Sequence, residues 1–266
     1  MTPSLQEHFD LRDVPFPKAA SETCLLRHPP LLETVERLHF SVSRDSPALL
    51  VAESGCGKST AVGLFARSLD AASYNVLYIC LTTVKPFGFV SQIAAAIGLR
   101  AGRFKGEIAV ALIAHLRGLP RRTVLVVDEA HLLPDDSLED LRLLTADDFD
   151  RKSPFALVLA GQPLLRDRLG EPQHYSFAQR IGVRLRLRPL NESEMALFLD
   201  KHLKAVGART NPFEPEAMVV IFHHSRGIPR LVQNVALEAM IAAMAAGKKT
   251  VDATSVQQAV VDMEAL

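Results

Sequence analysis

The stretch that most constrains this 266-residue chain is Ala48-Leu-Leu-Val-Ala52 followed at once by Glu53-Ser54-Gly55-Cys56-Gly57-Lys58-Ser59-Thr60. A short unbroken apolar run, a glycine-punctuated turn and then residues of helical period read as strand, tight loop and helix. Consecutive backbone N–H groups at such a helix start form a concave anion site. A lysine at the position of Lys58 reaches the β- and γ-phosphates of a nucleotide, and a hydroxyl at Ser59 can ligate Mg²⁺. Glu53, Ser54, Gly55, Cys56, Gly57, Lys58, Ser59 and Thr60 are therefore the candidate cradle for ATP. Ala52 stands where the first glycine of such loops usually does, a position that mainly needs a small side chain. A bland strand–turn–helix would carry the same glycines, so a second element is needed.

That element lies 70 residues beyond Lys58, where Thr123-Val-Leu-Val-Val-Asp128-Glu129 delivers two adjacent carboxylates at the end of an apolar strand. In an open α/β sheet ligands bind beyond the carboxyl ends of the strands. Asp128 is thus expected to share the Mg²⁺ with Ser59, and Glu129 to polarise an attacking water. The run Asp128-Glu129-Ala130-His131 also spells a helicase-like box, but such a helicase needs a second half for which this chain has no room. His131 is accordingly read as a helix-start residue. Another apolar run ends at Ala160 and continues to Gly161-Gln162-Pro163, so Gln162 is expected beside the carboxylates. There it is either an orienter of the lytic water or a polar turn residue before a proline-started helix.

Continuous apolar runs at 48–52, 76–81, 124–127 and 155–160, separated by segments of helical period, predict buried parallel strands covered on both faces. At 183–187 Val, Leu and Leu alternate with arginines, which predicts a strand with one exposed face. After Pro189 the pattern turns wholly helical, at about 191–206, 214–224, 228–246 and 253–264, with Asn211-Pro212 and Asp252 as start signals. The expected architecture is an α/β core with a central parallel five-stranded sheet and a small all-helical lid. The expected divisions are an N-terminal arm and first helix covering the nucleotide (1–45), the nucleotide-binding core (46–189) and the helical lid (190–266).

Three scattered cysteines with no CxxC pair argue against a disulfide framework or a zinc site. Neither an N-terminal apolar segment nor a long enough apolar helix is visible, so a cytoplasmic protein without membrane contact is expected. Lys+Arg and Asp+Glu are each 30, which removes the argument from a globally basic chain for a nucleic-acid partner. The zero is patterned, however. Between positions 100 and 122 six basic residues face only Glu107, between 128 and 150 nine acids face only Arg142, and between 161 and 190 six arginines face Asp167 and Glu171.

Two further segments, Phe177-Ala-Gln-Arg180-Ile-Gly-Val-Arg184 and Gly227-Ile228-Pro229-Arg230, complete a pattern. With both phosphate-site motifs, the chain resembles the AAA+ ATPases. The resemblance implies that Gln162 is sensor 1, although Asn, Ser or Thr is more usual there. It implies that Arg180 is the arginine finger acting on a neighbouring subunit, with Arg184 as its rival, and that Arg230 is sensor 2. It also implies that Phe16 and Pro17, before the first strand, wall the adenine, or else pack as an arm on the core. Within the superfamily the flanks look most like the transposition regulators of the TnsC/TniB type and the related ExeA-type secretion ATPases. The residues that carry this likeness are His8-Phe9 to Phe16-Pro17, Asp128 to Leu133, Leu138 to Leu144 and Leu157 to Pro163.

The expected output is a homo-oligomer, ring or helical filament, that assembles on duplex DNA when ATP-bound and recruits a transposase or target-selection protein. A secretion-type or protein-remodelling ATPase is the alternative. Arg100, Arg103 and Lys105 are the candidate DNA-phosphate contacts, or else solvated helix faces; phosphate binding by such residues weakens steeply with salt.

Overall fold

The computed structural model describes residues 4–17, 24–80, 86–99, 102, 104–146 and 153–265. From the N-terminus, α1 (Leu5–Phe9) and α2 (Pro29–Ser43) lead to β1 (Ala48–Val51) and α3 (Lys58–Ser68). β2 (Tyr74–Ile79), α4 (Pro86–Ala96), α5 (Lys105–Gly118) and β3 (Arg122–Val127) follow. A 3-10 turn at Ala130–Leu132 precedes α6 (Asp135–Thr145), β4 (Ala156–Gly161), α7 (Pro163–Leu169), α8 (Tyr175–Arg180) and β5 (Val183–Arg186). The chain continues with α9 (Glu192–Ala205), α10 (Pro215–Ser225), α11 (Pro229–Ala245) and α12 (Ala253–Glu264).

All five strands are parallel, in the order β2-β3-β4-β1-β5. Leu50 pairs with Ala160 on one side and Leu185 on the other, and Val126 pairs with Tyr78 and Val158. β1 and β4 are buried along their whole length, as their unbroken apolar runs predict, whereas in β5 Val183 and Leu185 are buried and Arg184 and Arg186 exposed. One face of the sheet carries Leu49, Val51, Leu125, Val127, Leu157 and Leu159 into a core shared with Phe89, Leu112, Leu138 and Phe177. Burying a side chain of this size contributes roughly 1.5–3 kcal/mol. α2 packs against α3, β4 and β5. β2 and β3 begin two residues before their apolar runs, because Tyr74 and Asn75 pair with Arg122 and Thr123. Ladder hydrogen bonding sets a strand's limit there, not hydrophobicity.

The chain divides into two compact units, one of Pro29–Leu187 and one of Met1–His28 with Arg188–Leu266. α2 belongs to the first of these units, and the segment before it belongs with the C-terminal helices. Three hydrogen bonds explain the second assignment. His8 Nε2 meets the Lys248 carbonyl at 2.7 Å, Lys249 Nζ donates to the His8 carbonyl at 2.8 Å, and the Arg12 N–H donates to the Val206 carbonyl at 2.8 Å.

The helical unit starts sharply. Asn191 and Glu194 form a capping box at α9, and Glu194 also receives both guanidinium nitrogens of Arg188, at 2.7 and 2.8 Å. Gly227, with φ of +71°, closes the α10–α11 corner, and its carbonyl accepts from the Leu190 N–H at 2.9 Å. A Cβ on Gly227 would lie 1.9 Å from the Leu190 carbonyl oxygen. Pro229 then opens α11, where its missing N–H costs nothing. Among the described residues no helix is long and apolar enough to cross a membrane.

His202 is 1% exposed, its ring centroid 4.4 Å from Phe198 and 5.7 Å from Phe16, and its Nδ1 has no hydrogen-bond partner. Burial, with a smaller contribution from Lys201, lowers its pKa to about 4. The unfolded chain therefore takes up a proton on this ring before the folded one does, and stability is lost as pH falls from about 6.5 toward 4. Thermal melts should show the wild-type protein losing stability relative to His202→Leu across this window and the difference levelling off above pH 7. Gly227→Ala should destabilise the helical unit by more than about 1 kcal/mol in denaturant titration, from the positive φ alone.

Candidate functional site

The site is built at the carboxyl ends of β1, β3 and β4. After β1, the Ala52 N–H still donates to the Gly161 carbonyl at 3.1 Å, so the loop leaves the sheet only at Glu53. Gly55 and Gly57 have φ of +81° and +95°. A Cβ on Gly57 would meet nothing closer than 3.8 Å, so backbone conformation and not space requires glycine there. Burial, then Glu53, raises the Cys56 thiol above its ordinary pKa, which leaves it a neutral small side chain inside the loop. Lys58, the first residue of α3, is 6% exposed; its Nζ donates to the Ala52 carbonyl at 3.2 Å and lies 3.9 Å from Glu129 Oε1.

Across β4, the Asp128 N–H extends the ladder by donating to the Ile79 carbonyl at 2.8 Å. The Asp128 carboxylate is buried and fully engaged. Its Oδ2 accepts from the Ser59 hydroxyl at 3.0 Å and from the Tyr78 hydroxyl at 2.7 Å, and its Oδ1 accepts from the Glu129 N–H at 2.8 Å. Burial, then the bond to Asp128, pushes the Tyr78 phenol well above its ordinary pKa, so it is a donor at any working pH. Glu129 adopts the left-handed conformation, φ 51° and ψ 33°, at a cost of about 1–2 kcal/mol for a side chain of this kind. The turn that follows, with Ala130, His131 and Leu133 buried, offsets this cost.

His131 does stand at the start of a helical turn, but its ring is buried. Nδ1 accepts from the Gln162 N–H at 3.4 Å, and Nε2 lies 3.7 Å from Glu129 Oε2. Burial outweighs the pull of Glu129 and lowers the imidazole pKa. Gly161 permits the approach, because a Cβ there would stand 3.2 Å from the His131 nitrogen and 2.9 Å from Leu165 Cδ2.

A lysine, a hydroxyl and a carboxylate at these separations suit a polyphosphate and a hard divalent cation, which prefers oxygen donors and completes its shell with phosphate and water. Comparison with known proteins agrees. Residues 42–169 match the family described as the AAA domain. The chain is also 33% identical over 205 residues to the general secretion pathway protein A of Aeromonas hydrophila, covering 75% of this chain and 37% of that protein's length. Among solved structures, the ORC1 protein of Aeropyrum pernix in complex with DNA superposes with a TM-score of 0.67 at 20% identity, over 91% of this chain and 69% of that one. Cdc6p from Pyrobaculum aerophilum gives 0.64 at 18% identity, over 88% and 68%. The RuvB Holliday junction branch migration motor of Thermotoga maritima gives 0.57 at 19%, over 86% and 67%. At these identities the likeness is one of fold, and it matches the five-stranded parallel architecture expected from the sequence.

Around the loop of Glu53 to Thr60, the structure brings Lys58, Ser59, Asp128 and Glu129 together and sets the Gln162 backbone against His131. The Gln162 side chain makes no capping bond to α7. Arg180 ends α8, half-buried, and Arg184 is exposed on β5 with its guanidinium donating to the Ala178 carbonyl at 2.7 Å. Arg230 is exposed in the first turn of α11. Phe16 is buried in the apolar cluster of the helical unit with Leu11, Phe198 and Leu199, and Pro17 is half-buried. Arg100 and Arg103 lie outside the described residues, and Lys105 is ion-paired with Asp140. Tyr78 is the site residue that sequence reasoning missed. It was legible only as part of an apolar strand, and its alternation with buried Leu77 and Ile79 was the available signal. Tyr78→Phe should raise the Mg²⁺ concentration needed for half-maximal nucleotide binding by about tenfold, the effect of losing one hydrogen bond to a charged ligand, with little change in melting temperature.

Proposed function

We propose that this protein binds ATP with Mg²⁺ and hydrolyses it at the subunit interfaces of a homo-oligomeric ring or filament in the cytoplasm. The observation that carries the reading is the pairing of Ser59 with Asp128 beside the pairing of Lys58 with Glu129, which sets the groups for metal, phosphate and water side by side. In this reading the backbone of Glu53 to Thr60 cradles the phosphates, and Lys58 leaves Glu129 for the β- and γ-oxygens. Ser59 and Asp128 hold the metal, which supplies charge neutralisation on the transferring phosphoryl group. Glu129, released from Lys58, orients and polarises the attacking water, and Gln162 emerges beside it from the end of β4. Arg180 serves a neighbouring subunit as the finger, Arg230 is the sensor 2 candidate, and Phe16 and Pro17 are the candidates for the adenine wall.

For the output, we read ATP-bound assembly on duplex DNA as a transposition regulator that recruits a transposase or target-selection protein. The likeness of the flanking motifs to the TnsC/TniB type supports this. The match to the general secretion pathway protein favours a second reading, an ATPase that acts on a protein complex without DNA. Non-specific duplex DNA at low salt should stimulate turnover and promote filaments or rings visible by electron microscopy under the first reading. Indifference to DNA with every nucleotide would leave the second. For the chemistry, Lys58→Ala should abolish nucleotide binding by calorimetry, and Glu129→Gln should bind ATP and stay assembled. Arg180→Ala should bind ATP normally and lose about 10³-fold or more in turnover. Normal turnover by Arg180→Ala would move the finger role to Arg184.

A further inference from the structure

His131 touches two parts of the site, and none of the roles assigned above uses it. A backbone N–H only donates, so the Gln162 N–H at 3.4 Å requires a lone pair on His131 Nδ1. The proton of the neutral ring is then on Nε2, the atom that faces Glu129 Oε2 at 3.7 Å. The main chain that carries the ring is anchored from behind. Arg168 Nη1 donates to the His131 carbonyl at 2.8 Å while its other nitrogen pairs with Asp135, and the absent Cβ of Gly161 lets the turn lie against the strand end. Lys58, a cation beside Glu129, is the group that incoming phosphates draw away.

We propose that His131 is a positioning residue for Glu129, tying its carboxylate through a fixed imidazole tautomer to the backbone of Gln162 at the end of β4. The inference rests on the ATPase reading and deepens it. With Lys58 committed to phosphate, the Nε2–H holds Glu129 at the attacking water, and any displacement of Gln162 is passed to the general base. In apo proteins such contacts are commonly long and tighten when substrate binds.

Asparagine and glutamine separate the two ends of the tie, since an asparagine oxygen replaces Nδ1 and a glutamine nitrogen replaces Nε2. In the full-length protein His131→Asn should lower kcat about ten- to a hundredfold with the dissociation constant for ATP unchanged, the scale of a misplaced catalytic group. His131→Gln should recover turnover to within a few-fold of wild type. The double variant Glu129→Gln/His131→Asn should be no slower than Glu129→Gln alone. Independently of activity, histidine ¹⁵N NMR of the nucleotide-free protein should show His131 as the Nε2–H tautomer, with the Nε2 resonance moving in Glu129→Gln. Wild-type turnover in His131→Asn, equal loss of turnover, ATP affinity and melting temperature in both variants, or an Nδ1–H tautomer would each overturn the proposal. If the wild-type chain hydrolyses no ATP with DNA or without it, the ATPase reading falls, and the NMR result still decides whether the tie exists.

Discussion

The hydroxyl of Ser59 and the carboxylate of Asp128 are 69 residues apart in the chain and 3.0 Å apart in space. That contact exists only because β1 and β3 run parallel on either side of β4 and end at one level. Parallel strands need crossovers, and the crossovers here are the helices that cover both faces of the sheet. The apolar character of β1, β3 and β4, the helices on the two faces and the glycines of the phosphate loop all serve the same requirement. Two short polar segments must arrive at one edge in register.

At that edge the charges are arranged in compensating pairs. Lys58 is held by the carbonyl of Ala52 and stands opposite Glu129, so its buried ammonium is neither unpartnered nor free to wander. Glu129 accepts a left-handed backbone to reach that position, and the turn carrying it is tied to the end of β4 through His131 and to α7 through Arg168. Local strain and surrounding order are found at the same residue, which is where a chemically active group needs both.

The architecture was legible in the sequence to a degree that the chemistry was not. Strand number, direction and the helical C-terminal segment followed from four unbroken apolar runs, the alternation at 183–187 and helical period, because strands buried on both faces or on one leave distinct patterns. The motif residues from Lys58 to Glu129 were legible because backbone and charge requirements of phosphate binding are met locally. Tyr78 was not, since its role depends on which strand lies beside β3, and the same residue reads as one more apolar strand position. His131 was read as a helix-start residue for a related reason. Its partners, Glu129 and Gln162, come together only when the end of β4 meets the turn after β3. The segment before α2 likewise gave no local sign that it belongs with α11 and α12, because a few main-chain contacts with Lys248, Lys249 and Val206 decide the matter.

The Cys56 thiol has a consequence for chemical durability. A cysteine in a loop of converging N–H groups beside a lysine is in the kind of setting that elsewhere creates a reactive thiolate. Here burial and the neighbouring Glu53 act the other way and keep the sulfur protonated. Peroxide and alkylating reagents attack thiolates, so the loop carries a sulfur atom without the usual vulnerability, and the exposed Cys80 is the thiol such reagents meet first.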